Sequence, residues 1–269
     1  MKLLRQGLTP LLALGLLFSA AGFPLVVLIL LSSGTGWTWP HLFPDRVDFA
    51  PWAYLLGGQR GLTSALVTSL AAATCVCLIS TPAGLLLSRA LSGSRGTGVL
   101  RFLVYLPFVL SPVVVGVCLY DLFARIELAG GFPGVVIAQS LFATAFAGVI
   151  FSEFWNPGLE AREQLVSSLG GGRWARWRHA LWPEARGLIA VAALQTALFS
   201  WLDFGLAAFL GGGRVPTLTV TLFALIREGS VNLAALAGLL LMAPAIAGLV
   251  VPAVIVQLVS RRDRPSEAQ

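Results

Sequence analysis

LTSALVTSLAAATCVCLISTPAGLLL, residues Leu62–Leu87, contains no charged side chain. About 20 apolar residues suffice for a helix to cross the hydrocarbon core of a bilayer, so this run is long enough to span. Barrel strands are about 10 residues long and alternate in polarity, which this run does not. Five further stretches repeat the pattern: Leu8–Leu31, Phe102–Phe123 broken only by Asp121, Phe132–Phe151, Leu188–Leu210 broken only by Asp203, and Leu233–Val259. Six transmembrane helices are therefore expected.

Composition agrees. Of 269 residues, 57% are hydrophobic and only 11% are charged, and the mean hydropathy is +0.85. A soluble domain carries about 25% charge, and one this apolar would be apolar on its exterior too. Cys75, Cys77 and Cys118 all lie in apolar stretches. They read as packing residues, and no metal site is expected. Lys2 and Arg5 precede an apolar run in which Phe18–Gly22 resembles a cleavage site, but the run continues to Leu31. It is read as a first membrane helix that is kept.

The basic residues set orientation. With the N-terminus cytoplasmic and six crossings, thirteen of the 18 Lys and Arg fall on the cytoplasmic side: Lys2, Arg5, Arg89, Arg95, Arg101, Arg162, Arg173, Arg176, Arg178, Arg186, Arg261, Arg262 and Arg264. Arg46, Arg60, Arg125, Arg214 and Arg227 fall outside. Both termini are expected to be cytoplasmic. This bias accounts for the net charge of +6 without a nucleic-acid partner. Trp37, Trp39 and Trp52 in the first outer loop read as interfacial aromatics or as rim contacts for a partner.

The large inner loop, residues 156–187, holds the least membrane-like sequence, SSLGGGRWARWRHALWP from Ser167 to Pro183. Glu160–Ser168 reads as a helix, with Leu159, Leu165, Val166 and Leu169 on roughly one face. Gly170, Gly171 and Gly172 stop it. Arg173–Leu181 reads as a short amphipathic helix with Trp174, Trp177, Leu181 and Trp182 on its apolar side. Pro183 is expected to end it. Arg and Trp on such a helix suit either an anionic lipid surface or a protein cleft, and the pattern leaves both open.

Leu169, Gly170, Trp174, Trp177 and Pro183 occupy the Leu, Gly, Trp, aromatic and Pro positions of a run Leu-Gly-Ala-Ser-x-Trp-x-x-Phe-x-x-Val-x-Leu-Pro. In this the segment resembles the cytoplasmic loop of the membrane subunits of ABC importers. The first half departs from the family's Glu-Ala-Ala signature: Gln164 stands where Glu is usual, with Glu163 one residue earlier, and Leu165 and Val166 replace the two Ala. Leu106–Gly116 is similar to the family's proline-rich third core span. Trp201–Gly205 is similar to its Gly-Glu-Phe-Gly stretch, with Asp203 at the acidic position. The similarity covers residues 63–259.

The resemblance implies an all-α membrane protein with the type I (MetI-like) importer permease fold, one transmembrane domain over residues 1–269, in a bacterial inner membrane. It implies two ATP-binding cassette subunits, a second permease, and an extracytoplasmic substrate-binding protein as partners, besides membrane lipid. Glu163, Gly170, Arg173, Trp174, Arg176, Trp177, Arg178 and Pro183 would form the ATPase-coupling element. ATP and Mg would sit on the partner subunits, since this chain has no Gly-x-x-x-x-Gly-Lys-Ser/Thr sequence and is not expected to be an enzyme.

Charges inside a membrane are costly and mark function or pairing. Asp121, Asp203 and Glu153 are the acids concerned. Asp203 reads first as an acid paired with a neighbouring helix. Pro107 and Pro112 are expected to break the third span and turn backbone carbonyls towards a pathway. Ala234 with Gly238 and Ala243 with Ala247 read as helix-packing pairs. The resembling branch handles polyamines, thiamine, phosphonates, iron(III), sulfate and molybdate; embedded acids without embedded bases favour a cationic or neutral solute. A secondary carrier or channel with a lipid-surface helix is the other class of function, although no inverted repeat is visible.

Overall fold

The computed structural model describes residues 22–35, 46–56, 61–92, 98–152 and 154–262. Most of the first apolar run, Trp37, Trp39 and Glu153 lie outside them. The chain divides into two compact units, Met1–Thr63 with Thr221–Gln269, and Ser64–Val220.

The larger unit contains α3 (Leu62–Ser92) from Ser64 onward, α4 (Gly98–Val109), α5 (Pro112–Arg125), α6 (Phe132–Ile150), α7 (Pro157–Ser168), α8 (Arg173–Arg176), α9 (Trp182–Leu202) and α10 (Gly205–Gly211). Helix α6 is apolar all round and becomes the central post, as such helices do. Its Val135, Ala138 and Phe142 join Phe123 of α5 and Leu206 and Leu210 of α10 in one core cluster. Its Val136 and Ala143 meet Ala72 and Val76 of α3, and its Ala147 meets Ala192 of α9. Where α6 meets α3 and α9 the small residues Ala72, Ala143, Ala147 and Ala192 bring backbones close, as suits helices between which lipid supplies no hydrophobic drive. Helix α3 keeps large side chains outward: Val67, Leu70, Leu78 and Leu86 are each more than half exposed.

The smaller unit contains α1 (Gly22–Ser33), a two-residue antiparallel ladder of β1 (Gly34–Thr35) and β2 (Arg46–Val47), α2 (Ala50–Leu56), α11 (Leu218–Arg227) from Thr221 onward, and α12 (Val231–Arg262). Asn232 at the start of α12 donates to the carbonyls of Leu31, at 3.0 Å, and of Gly34. Trp52 Nε1 donates to Ser33 Oγ at 3.3 Å. Gly238 faces Leu28 and Leu222, so the Ala234–Gly238 pair lies on a packed face.

Four of the described helices are long and apolar enough to cross a membrane: Leu62–Ser92, Phe132–Ile150, Arg173–Leu202 and Val231–Gly248. The third expected span is not straight. Its two halves, Arg101–Val109 and Pro112–Arg125, are bent by 112°, and counting them as one span makes five. The break falls at Leu110–Ser111. Pro107 sits inside α4 and does not break it. Ser111 is extended, at φ −68° and ψ 134°, as the residue before a proline is driven to be, and Pro112 opens α5 at a position where its missing N–H costs nothing.

The fifth expected span also shifts. It begins at Arg173 and ends at Leu202, where Asp203 turns extended (φ −68°, ψ 126°) before the short helix α10. Pro183 therefore does not end the basic helix. A π turn over Trp177–Leu181 precedes it, and the N–H of Trp182 bonds back to the Trp177 carbonyl. A proline removes one i→i−4 bond and crowds the carbonyl four residues earlier. Widening that turn accommodates the ring, and the helix runs on.

Candidate functional site

The glycine corner is built residue by residue. Asn156 caps α7, its Oδ1 accepting the Leu159 N–H at 3.0 Å. At the other end Gly170 has φ +80°, the left-handed geometry that closes a helix. Its N–H bonds to the Ser167 carbonyl at 3.0 Å and the Gly171 N–H to that of Val166 at 2.9 Å, the paired bonds of a Schellman stop. Gly171 sits so close to α7 that a Cβ would lie 2.6 Å from the Val166 oxygen. Gly172 then starts the next helix, which leaves the corner back along α7.

The expected apolar face of α7 is only partly used. Leu159 is buried with Phe154, Leu181 and Ala185, whereas Leu165 and Leu169 are exposed. Leu181 likewise leaves the tryptophan face and enters that cluster. What remains outward is a ladder of three indoles. Trp174 and Trp177 stack at 5.9 Å with planes 7° apart, and Trp177 and Trp182 at 5.1 Å and 27°. Residues five apart lie about 140° apart around an ordinary α-helix. The π turn winds Trp182 back under Trp177. Trp174, at the open end, is 70% exposed.

Two ion pairs brace the corner. Glu163 of α7 meets Arg89 of α3 at 3.4 Å, and Arg162 of α7 meets Glu184 of α9. The Arg89 guanidinium also lies 4.8 Å above the Trp155 ring, whose Nε1 donates to Ser88 Oγ at 2.8 Å. Glu163 thus faces inward within this chain. Arg173, Arg176 and Trp177 line a cleft with Arg89 and Glu163, while Arg178 is exposed. Pro183 acts through the π turn and is itself exposed.

The second candidate region lies where the two helix breaks meet. Pro112 and Val113 of α5 share an open cleft with Phe146, Gln195, Phe199, Asp203 and Gly205. A Cβ on Gly205 would come within 3.0 Å of the Val113 backbone nitrogen, so the breaks are in near contact. Asp203 itself is 7% exposed and fully engaged. Its Oδ2 accepts from Gln139 Nε2 at 2.9 Å and from the Ala207 N–H at 3.0 Å, and its Oδ1 from the Leu206 N–H at 3.3 Å. Ser200 Oγ donates to Gln139 Oε1 at 2.7 Å, and Thr219 Oγ1 to the Asp203 carbonyl at 2.7 Å. The acid caps α10 and ties it to α6, the pairing with a neighbouring helix that its position suggested.

Asp121 and Pro107 stand apart from this cleft. Asp121 is exposed and paired with Arg125 one turn on, at 2.9 Å. Gln139 escaped the sequence reading, although an amide in the middle of a charge-free run is a signal that a partner must exist. Trp155 and Arg89 lie 66 positions apart, and nothing in the sequence pairs them.

No protein-family model matches the chain, and no curated protein is similar enough to count as a relative.

Proposed function

We propose that this chain is the membrane-spanning permease subunit of an ABC importer. The observation that carries the reading is the corner at Gly170–Gly172 feeding an exposed Arg/Trp helix that is continuous, over Arg173–Leu202, with a membrane-length span. A partner that grips Trp174, Trp177, Arg173 and Arg176 pushes on one rigid rod. Aromatic anchors supply contact area, and arginines supply hydrogen bonds to carboxylates. The rod's far end is the break at Asp203, beside Pro112, so displacement of the corner acts on the cleft between the two broken helices. Broken helices around a cavity are how membrane transporters line a pathway.

In this reading the chain crosses a bacterial inner membrane six times. The first apolar run supplies one crossing, the bent α4–α5 pair another, and both termini are cytoplasmic. A second permease, two ATP-hydrolysing subunits with their ATP and Mg, and an exported binding protein complete the machine. The solute is small, in the range of polyamines, thiamine, phosphonate or iron(III), and the embedded acids without embedded bases favour the cationic or neutral members of that range over phosphonate. Glu163 and Gly170 shape the corner, Arg178 adds to its basic surface, and Pro183 sets the indole ladder. Mild-detergent capture of the tagged chain from its native membrane, with mass spectrometry of what accompanies it, tests the assignment. Recovery of an ATPase subunit supports it. Recovery of the chain alone argues for a carrier or channel.

A further inference from the structure

The ends of α3 and α6 and the start of α4 line a cleft of about 250 Å³ that meets the first region above only at Ser88. Its polar lining is unusual in sign. Ser92 Oγ donates to the Arg89 carbonyl at 2.9 Å and Ser152 Oγ to the Val149 carbonyl at 2.7 Å. Ser88 Oγ donates to the Leu85 carbonyl at 2.8 Å and accepts from Trp155. With their protons committed to carbonyls, these hydroxyls offer lone pairs, and they do so at the C-terminal, partially negative ends of two helices. That end of the cleft suits a hydrogen-bond donor with positive charge.

The opposite wall carries Arg101 and Tyr105 of α4. Among the described residues no acid lies within ion-pair distance of Arg101, so its guanidinium is available to an anion. Val104 of the same helix, with Leu91 and Val149, supplies the apolar part of the lining. The cleft therefore combines acceptors, one cation and a greasy wall at the boundary of two membrane-length helices.

We propose that this cleft is a headgroup site for a phospholipid carrying both a phosphate and a primary ammonium. Arg101 holds the phosphate, with Tyr105 beside it. Ser92 and Ser152 accept from the ammonium, and the acyl chains lie along α4. Basic pockets between membrane helices commonly hold lipid headgroups. The acceptor end is what selects an ammonium that can donate.

The test is native mass spectrometry of the purified full chain in detergent, with dioleoyl phosphatidylethanolamine, its N-methyl and N,N-dimethyl forms, phosphatidylcholine and phosphatidylglycerol added singly at equal concentration. The expected result is a stepwise fall in retention with each methyl group, reaching about tenfold for phosphatidylcholine, as loss of charge-assisted hydrogen bonds requires. Arg101→Ala lowers phosphatidylethanolamine retention by a similar factor, and Ser92→Ala with Ser152→Ala flattens the methylation series. Arg125→Ala changes neither. Equal retention across the series in the unaltered chain, or stronger retention of phosphatidylglycerol, overturns the proposal without recourse to any variant.

Discussion

Trp177 and Trp182 stack with ring centroids 5.1 Å apart, five residues from one another on a single helix. An unbroken α-helix cannot bring them together. The intervening π turn does, and Pro183 lies just beyond it, where the wider turn makes room for the ring. A proline that reads in sequence as a stop thus sits at the end of an aromatic surface two turns long.

Pro183→Ala is the first consequence. With the N–H restored, the turn can close to ordinary α geometry, rotating Trp182 away from Trp177. The expected outcome is loss of the tryptophan exciton signal in circular dichroism with helix content kept. If the chain is the proposed importer permease, transport falls as well, because the surface offered to its partner is shorter. An unchanged exciton signal would separate the ladder from the π turn.

The corner glycines differ in what they tolerate. Gly170→Ala places a side chain at φ +80°, at a cost of about 1–2 kcal/mol. Gly171→Val costs more, because its Cβ would overlap the Val166 carbonyl and force the two helices apart. Gly172 has open space around an added Cβ, so Gly172→Ala is nearly silent. Limited proteolysis at the corner, with thermal unfolding in detergent, ranks the three.

Gln139→Leu removes the amide that links Asp203 to Ser200. It leaves one carboxylate oxygen short of a donor and the Ser200 hydroxyl without its acceptor, both buried. The expected loss is about 1–3 kcal/mol, read as a lower thermal midpoint. Gln139→Glu is worse, since it sets a second acid against the first. Asp203→Asn keeps an acceptor for the α10 amides and lies between the unaltered chain and Gln139→Glu.

The Arg89–Glu163 pair is exposed on the arginine side, and such pairs contribute about 0–1 kcal/mol. Glu163→Gln is therefore expected to leave stability unchanged while loosening α7 from α3. If the corner transmits motion, transport drops in Glu163→Arg and recovers when Arg89→Glu is added. A mere surface pair would show no such reciprocity in the double-mutant cycle.

Much of the membrane character was legible in the charge-free runs, because a bilayer demands long apolar helices and little else produces them. The glycine corner was legible for a related reason: three consecutive glycines between helical segments have few other uses. The breaks were less so. Run length registers apolarity, not direction, so the 112° turn at Ser111 leaves the third run apparently whole. Proline misled in both directions. Pro183 reads as a terminator, yet a π turn absorbs it, and Pro107 reads as a breaker, yet stays inside α4. The Arg89–Glu163–Trp155 brace and the Gln139–Asp203 link join residues far apart in sequence, where no local pattern reaches.

The measurement closest to the central claim is site-specific photo-crosslinking from position 174 in native membranes. Trp174 is the most exposed rung of the ladder and carries no core contact, so a photoreactive residue is tolerated there. The account predicts an adduct with an ATP-hydrolysing subunit, diminished when Gly171→Val displaces the helix. Adducts confined to lipid, with no protein partner, would contradict it and assign the Arg/Trp helix to the membrane surface.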